Sequence, residues 1–222
     1  MSTEIFVVSE FFSVVLAFVL VYFFFRAYKA TRSVYLLGLP IGFSFLACSY
    51  VFLGASLLYG GDIVIPEEFI WLRLITRSYG FAFVGFTYFF SSRTEGTTKR
   101  FLSVISFVSA ISLLFILGIL MVPTPFLELP PATVVDECFT IANLLFLGYV
   151  IYSVVKRLKL ARVPVSLLWA PTAFSLLWLG QYSSLIWEID GSQTAFAFAH
   201  GARIASLVLL IWVYQSSGGA GH

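Results

Sequence analysis

Four side chains interrupt long apolar stretches of this chain: Arg73, Arg77, Arg203 and His200. A charge at membrane depth is costly, so it usually faces a bundle interior or a cavity and has a partner there. Guanidinium forks bind carboxylates, and neutral imidazole binds metals and haem iron. Together the four residues mark an expected site for an anionic ligand or cofactor. Its most concrete version is a b-type haem, with His200 as metal-binding axial ligand and Arg73, Arg77 and Arg203 on the propionates. Met121 is the candidate second axial ligand, with Cys138 as a poorer thiolate alternative.

Other polar groups converge on the same end of the chain's apolar windows. Asp136, Glu137, Thr140 and Asn143 descend from the start of the fifth window, Gln181 and Glu188 lie in the later half of the sixth, and Glu10 lies in the first. At ~1.5 Å rise per residue, Arg73 and Arg77 lie roughly 6 and 12 Å inside their helix end. Helical spacing puts Arg73, Arg77, Gly80, Val84 and Thr87 on one stripe, and Phe196, His200, Arg203 and Leu207 on another. Asp136, Thr140 and Asn143 share a side. If the stripes meet, Glu137, Asp136, Asn143, Gln181 and Glu10 line the pocket with the cations. The same residues also fit a structural ion-pair network, with the arginines neutralised by Glu137, Asp136, Glu188 or Glu10. An arginine near a helix end can also snorkel to the interface.

The elements that must carry these residues follow from composition. Of 222 residues, 60% are hydrophobic and 11% charged, and the mean hydropathy is +0.98. That excludes an ordinary soluble domain. Seven apolar windows, near 5–25, 34–59, 69–91, 101–121, 135–155, 164–187 and 195–215, are each long enough to cross a hydrocarbon core as a helix. Lipid-facing backbone must satisfy itself, and barrel-like alternation is absent, so the expected fold is all-α. It is a polytopic seven-transmembrane-helix bundle forming one domain over 1–215, with a flexible tail at 216–222. The first window lacks a basic leader and a cleavage pattern, so it is read as a mature helix.

Ten of the 13 basic residues fall in three short loops, which alternate with acidic ones. Glu95 is the one acidic residue on the basic side. The positive-inside rule then places the N-terminus outside and the C-terminus inside, in a multi-pass protein of the plasma membrane. Because the basic loops serve topology, they argue against a nucleic-acid partner. The loops leave no room for a soluble domain, so any signal would pass to a cytoplasmic or membrane partner.

Windows two and six carry related text. Leu36-Leu37-Gly38-Leu39-Pro40 parallels Leu167-Leu168-Trp169-Ala170-Pro171, and Phe43-Ser44 parallels Phe174-Ser175. Windows three and seven align so that Arg77 meets Arg203. The expectation is a 3+1+3 parallel pseudo-repeat, with kinks at Pro40 and Pro171. Two small-residue patterns, Gly38-x3-Gly42 and Ala197-x3-Gly201-x3-Ala205, predict close helix packing. Cys48 and Cys138 read as buried small hydrophobes. One Asn and three Gln in the whole chain fit a thermophile.

This layout of seven helices, outside N-terminus and short loops resembles microbial rhodopsins, SWEET-type sugar transporters and the seven-helix sensor regions of prokaryotic histidine kinases. The rhodopsin resemblance would imply retinal on a lysine of helix 7, but 195–213 contains no Lys, so retinal is excluded. Against the SWEET pattern, only Pro40 and Pro171 match. Serine-hydrolase, zinc-protease and phosphate-loop motifs are absent, so no catalytic residue is assigned and binding is expected rather than enzymatic activity. The expected function is a membrane binding or sensory protein, with haem-based sensing or electron transfer as its concrete form. The alternative is a small-solute transporter built from two three-helix repeats.

Overall fold

A computed structural model describes residues 3–59, 67–91, 98–121, 132–160 and 165–218. Among them are seven α-helices: α1 (Thr3–Thr31), α2 (Gly38–Tyr59), α3 (Glu67–Ser91), α4 (Thr98–Met121), α5 (Ala132–Leu160), α6 (Ala170–Asp190) and α7 (Gln193–Gly218). Four stretches, Glu4–Thr31, Val34–Leu58, Val135–Leu158 and Gln193–Ser216, are long and apolar enough to cross a membrane. The described part of α7 runs through 216–218, where a flexible tail was expected; 219–222 lie outside the described residues.

Six helices close a ring. α1 packs on α2 and α7, α2 on α3, α3 on α5, α5 on α6, and α6 on α7, while α4 lies against α3 and the 34–37 segment. Each ring helix contributes to one apolar core, in which Phe24, Phe43, Phe81 and Phe174 are fully buried. The outer surface is apolar too: Phe11, Phe18, Phe107, Leu114, Leu145 and Tyr152 are each more than half exposed. So large an exposed apolar surface calls for an apolar surrounding.

The prolines lie at the starts of their helices rather than inside them. Each follows a 3-10 segment, Val34–Leu37 or Val165–Trp169, and falls within the first turn of α2 or α6. There its missing N–H has no intrahelical partner to lose, so proline is tolerated without bending the axis. The sixth helix accordingly begins at Ala170, later than the sequence pattern indicates.

Two connections fix neighbours. Arg32 takes a left-handed conformation (φ 51°) after α1, and its N–H bonds the Tyr28 carbonyl at 2.8 Å. Gly191 (φ 65°) does the same for α6, its N–H bonding the Trp187 carbonyl at 2.8 Å. A glycine there avoids the Cβ clash of a left-handed residue. Only Gly191 and Ser192 separate α6 from α7, so the two helices must lie antiparallel, with Glu188 and Phe196 at the same end.

The glycine pattern on α2 packs as expected. A Cβ added at Gly42 would stand 2.8 Å from the Gly80 carbonyl oxygen. On α7 the expectation fails: Gly201 is exposed, and an added Cβ would meet nothing within 4 Å. The small residues of α7 thus face outward because its other face carries the polar side chains. Cys48 and Cys138 are also exposed rather than buried, and both are free thiols.

Candidate functional site

The polar stripes meet inside the ring, at the end where α2 finishes and α3 begins. They form two ion-pair clusters. In the first, Arg73 and Arg77 of α3 share Asp136 of α5. Arg73 Nη2 donates to Asp136 Oδ2, and Arg77 Nη2 donates to Oδ1 at 2.7 Å and to Thr140 Oγ1 at 2.9 Å. Glu188 Oε1 of α6 stands 4.0 Å from Arg77. In the second cluster, Arg203 Nη2 of α7 donates to Glu10 Oε1 of α1.

His200 belongs to the second cluster. Its Nδ1 lies 2.9 Å from Glu10 Oε1, Ser9 Oγ and Arg203 Nη2 alike. One tautomer donates from Nδ1 to Glu10, and the other accepts from Arg203. The ring is held between aromatic neighbours, with centroids 4.3 Å from Phe196 and 5.1 Å from Phe6. Arg203 also lies over the Tyr50 ring, 4.6 Å from its centroid, a favourable cation–π placement.

Both clusters border one cleft, lined by residues of α2, α3, α6 and α7. Arg73, Arg77, Arg203 and His200 face it, with Glu188 as the one carboxylate in its lining. Glu10 and Asp136 sit behind the arginines. On α1, α3, α5, α6 and α7 the apolar core begins beyond the site, and on α2 it reaches the site at Tyr50, so apolar packing fills the far side of the cleft. The cavity is about 30 Å³, on a measure by which one water needs ~10–15 Å³.

The arginines retain unused donors. Among the described residues, each of the three guanidiniums bonds the protein through Nη2 alone. The Nε of each is buried without a partner, as are the Tyr50 hydroxyl, Gln181 Oε1 and Glu188 Oε2. All six of these groups belong to residues lining the cleft. Buried polar atoms left unpartnered cost stability, so such a concentration marks a place for water or a ligand.

Several expected site residues fall elsewhere. Glu137 is exposed. One residue along a helix turns the side chain by ~100°, so Asp136 takes the interior and Glu137 does not. The carboxylate that His200 meets is Glu10 of α1. Asn143 is fully buried, but it does not line the cleft, and neither of its amide atoms has a partner. The side chain of Met121 lies outside the described residues. The cavity beside His200, bounded by Phe196, is about 30 Å³, room on this measure for about two waters or a small ion. Among the described residues, no three His, Cys, Asp or Glu side chains gather as a metal set.

Among the contributors not singled out in the sequence are Ser9 and Tyr50. Tyr50 lies about two and a half turns before the end of a uniformly apolar helix and carries no charge to draw attention. Comparison with protein-family models, characterised proteins and solved structures finds no significant match.

Proposed function

We propose that the protein is a multi-pass plasma-membrane binding or sensory protein that takes a small anion in this cleft. The observation that carries the reading is the set of three guanidiniums, each bonded to the protein through one nitrogen and each with its Nε buried and unpartnered. Arginine forks in a desolvated setting recognise carboxylates and similar oxyanions. The lining presents three cations against one carboxylate, which favours negative charge. Cavity size favours a ligand far smaller than haem.

The bundle is read as membrane-embedded, with the cleft end and N-terminus outside. The apolar outer surface and the basic loops at the opposite end support this orientation. The ligand then arrives from outside the cell, and a cytoplasmic or membrane partner receives the output.

The same reading includes a 3+1+3 pseudo-repeat of α1–α3 and α5–α7 around α4. A single shift along the chain carries Glu10 to Asp136, Arg77 to Arg203 and Gly80 to Ser206. A second shift carries Pro40 to Pro171, Gly42 to Ala173 and Tyr50 to Gln181. The contacts correspond as well. Arg77 pairs with Asp136 and Arg203 with Glu10; Gly80 approaches the backbone of Gly42, and Ser206 Oγ donates to the Ala173 carbonyl at 2.7 Å. The ion pairs therefore join the two units at both seams, α3 to α5 and α7 to α1. This correspondence favours a second reading, a transporter whose two units rock about the cleft. The Phe core beyond the cleft favours binding without passage.

Thermal unfolding of the full chain in nanodiscs tests the proposal. Sodium formate, acetate and phosphate are compared with sodium chloride at equal ionic strength. A ligand at about 100 times its Kd stabilises by ~2.7 kcal/mol. At least one oxyanion should raise the midpoint relative to chloride, and Arg77→Gln should abolish the rise. Identical midpoints in all four salts would remove the anion reading. Uptake into proteoliposomes separates the second reading from the first.

A further inference from the structure

Tyr50 and Gln181 occupy corresponding positions on α2 and α6, each ten residues after the matched prolines Pro40 and Pro171. Both line the cleft, both are buried, and each has a polar atom without a partner. Neither takes part in an ion pair. Their unpartnered groups are therefore not by-products of charge neutralisation; nothing in the fold requires a hydroxyl or an amide there. A leucine or phenylalanine would fill either position without the cost of an unmet hydrogen bond.

From each three-helix unit the cleft thus presents one uncharged side chain with an unpartnered polar atom and at least one free guanidinium edge: Tyr50 and Arg77 from the first, Gln181 and Arg203 from the second. We infer that a single small carboxylate, of formate to acetate size, bridges the two units in this cleft, held by Tyr50 and Arg77 on one side and Gln181 and Arg203 on the other. This rests on the anion reading above and names its ligand class and binding mode. A carboxylate has two oxygens, each with more than one acceptor direction, so it can take donors from both sides at once. The Gln181 amide supplies a donor through its NH2 group whichever way it is turned, since its O and N are assigned by their surroundings. A spherical halide matches the planar fork less well than a carboxylate. The cavity, about 30 Å³, limits the ligand to a few heavy atoms.

At the upper end of ligand efficiency, a ligand of three heavy atoms reaches a Kd of about 0.5 mM and one of four heavy atoms about 0.04 mM. Isothermal titration of the full chain in nanodiscs with sodium formate and sodium acetate, against sodium chloride, tests the bridge. Tyr50→Phe and Gln181→Met each delete the polar group while keeping volume and leaving every ion pair intact, and Gln181→Leu stands in should Gln181→Met not fold. The expected result is carboxylate binding by wild type, each variant weaker by about tenfold, and unliganded unfolding midpoints unchanged or raised. Carboxylate binding that neither variant weakens, or that only one weakens, overturns the bridge and leaves the anion reading standing. Chloride binding as strong as formate binding overturns the carboxylate assignment. If wild type binds none of the three, while phosphate still raises its unfolding midpoint, the small-carboxylate inference fails alone. If phosphate has no effect either, both fail.

Discussion

Asp136→Asn removes the single charge to which both Arg73 and Arg77 donate. Its two oxygens accept from different guanidiniums, Oδ2 from Arg73 and Oδ1 from Arg77 at 2.7 Å. The nearest substitute, Glu188 Oε1, is 4.0 Å from Arg77. Two unit charges at 4 Å attract by about 4 kcal/mol at an effective dielectric near 20. Losing two such attractions is partly offset, because the neutral amide costs less to desolvate than the carboxylate. Breaking a buried pair by removing one partner costs about 3–5 kcal/mol, and the shared position of Asp136 puts it toward the upper end. For a chain of this length, ~1 kcal/mol moves the unfolding midpoint by about 2–4 °C, so the expected fall is roughly 6–20 °C. The adjacent Glu137→Gln is the control. Glu137 is exposed, and its replacement should change stability by less than about 0.5 kcal/mol. The assay is thermal unfolding of both variants in the same nanodiscs, at low and high salt. A buried pair is poorly screened, so the Asp136→Asn loss should persist at high salt. A loss within about 1 kcal/mol of the Glu137→Gln control would refute the placement of Asp136 between the arginines.

Other expectations follow from single contacts. Asn143→Leu replaces a fully buried amide with no partner by an apolar side chain of similar size, and should raise the unfolding midpoint, by about 1–3 kcal/mol of stability. Gly80→Ala would put a Cβ 2.9 Å from the Gly42 carbonyl oxygen and 2.7 Å from Leu46 Cγ, so it should lower stability by more than about 1 kcal/mol. Gly201→Ala meets nothing within 4 Å and should be neutral or slightly stabilising, as helix propensity favours alanine over glycine by ~1 kcal/mol. Purified protein should show no Soret band. A haem spectrum lost in His200→Ala would overturn the size argument made from the cleft.

How much of this was legible in the sequence depended on periodicity and charge. Arg73, Arg77, His200 and Arg203 were readable because each breaks an apolar run, and helical spacing placed each set on one face. Glu10 was readable for the same reason. Asp136 and Glu137 could not be separated, because both lie at the start of α5 and only the rotation of that helix against α3 turns one inward. Proline position was misleading in a specific way. Pro40 and Pro171 sit well inside apolar windows, but the windows begin with 3-10 turns, so both prolines lie in a first helical turn. The small-residue pattern on α7 failed because spacing reports a shared face, not what that face meets. Tyr50 and Ser9 had no signal against neighbours of similar type. Cavity size depends on packing among six helices, and no linear pattern encodes it.

If an anion binds in the cleft, the buried arginine Nε–H groups receive it. The direct measurement is nuclear magnetic resonance of the full chain carrying isotope-labelled arginine, following those groups as sodium acetate replaces sodium chloride at constant ionic strength. The resonances of Arg73, Arg77 and Arg203 should shift saturably and exchange more slowly with solvent, while those of exposed arginines such as Arg26 and Arg100 do not. Shifts confined to the exposed arginines, or none that saturate, would contradict anion binding in the cleft.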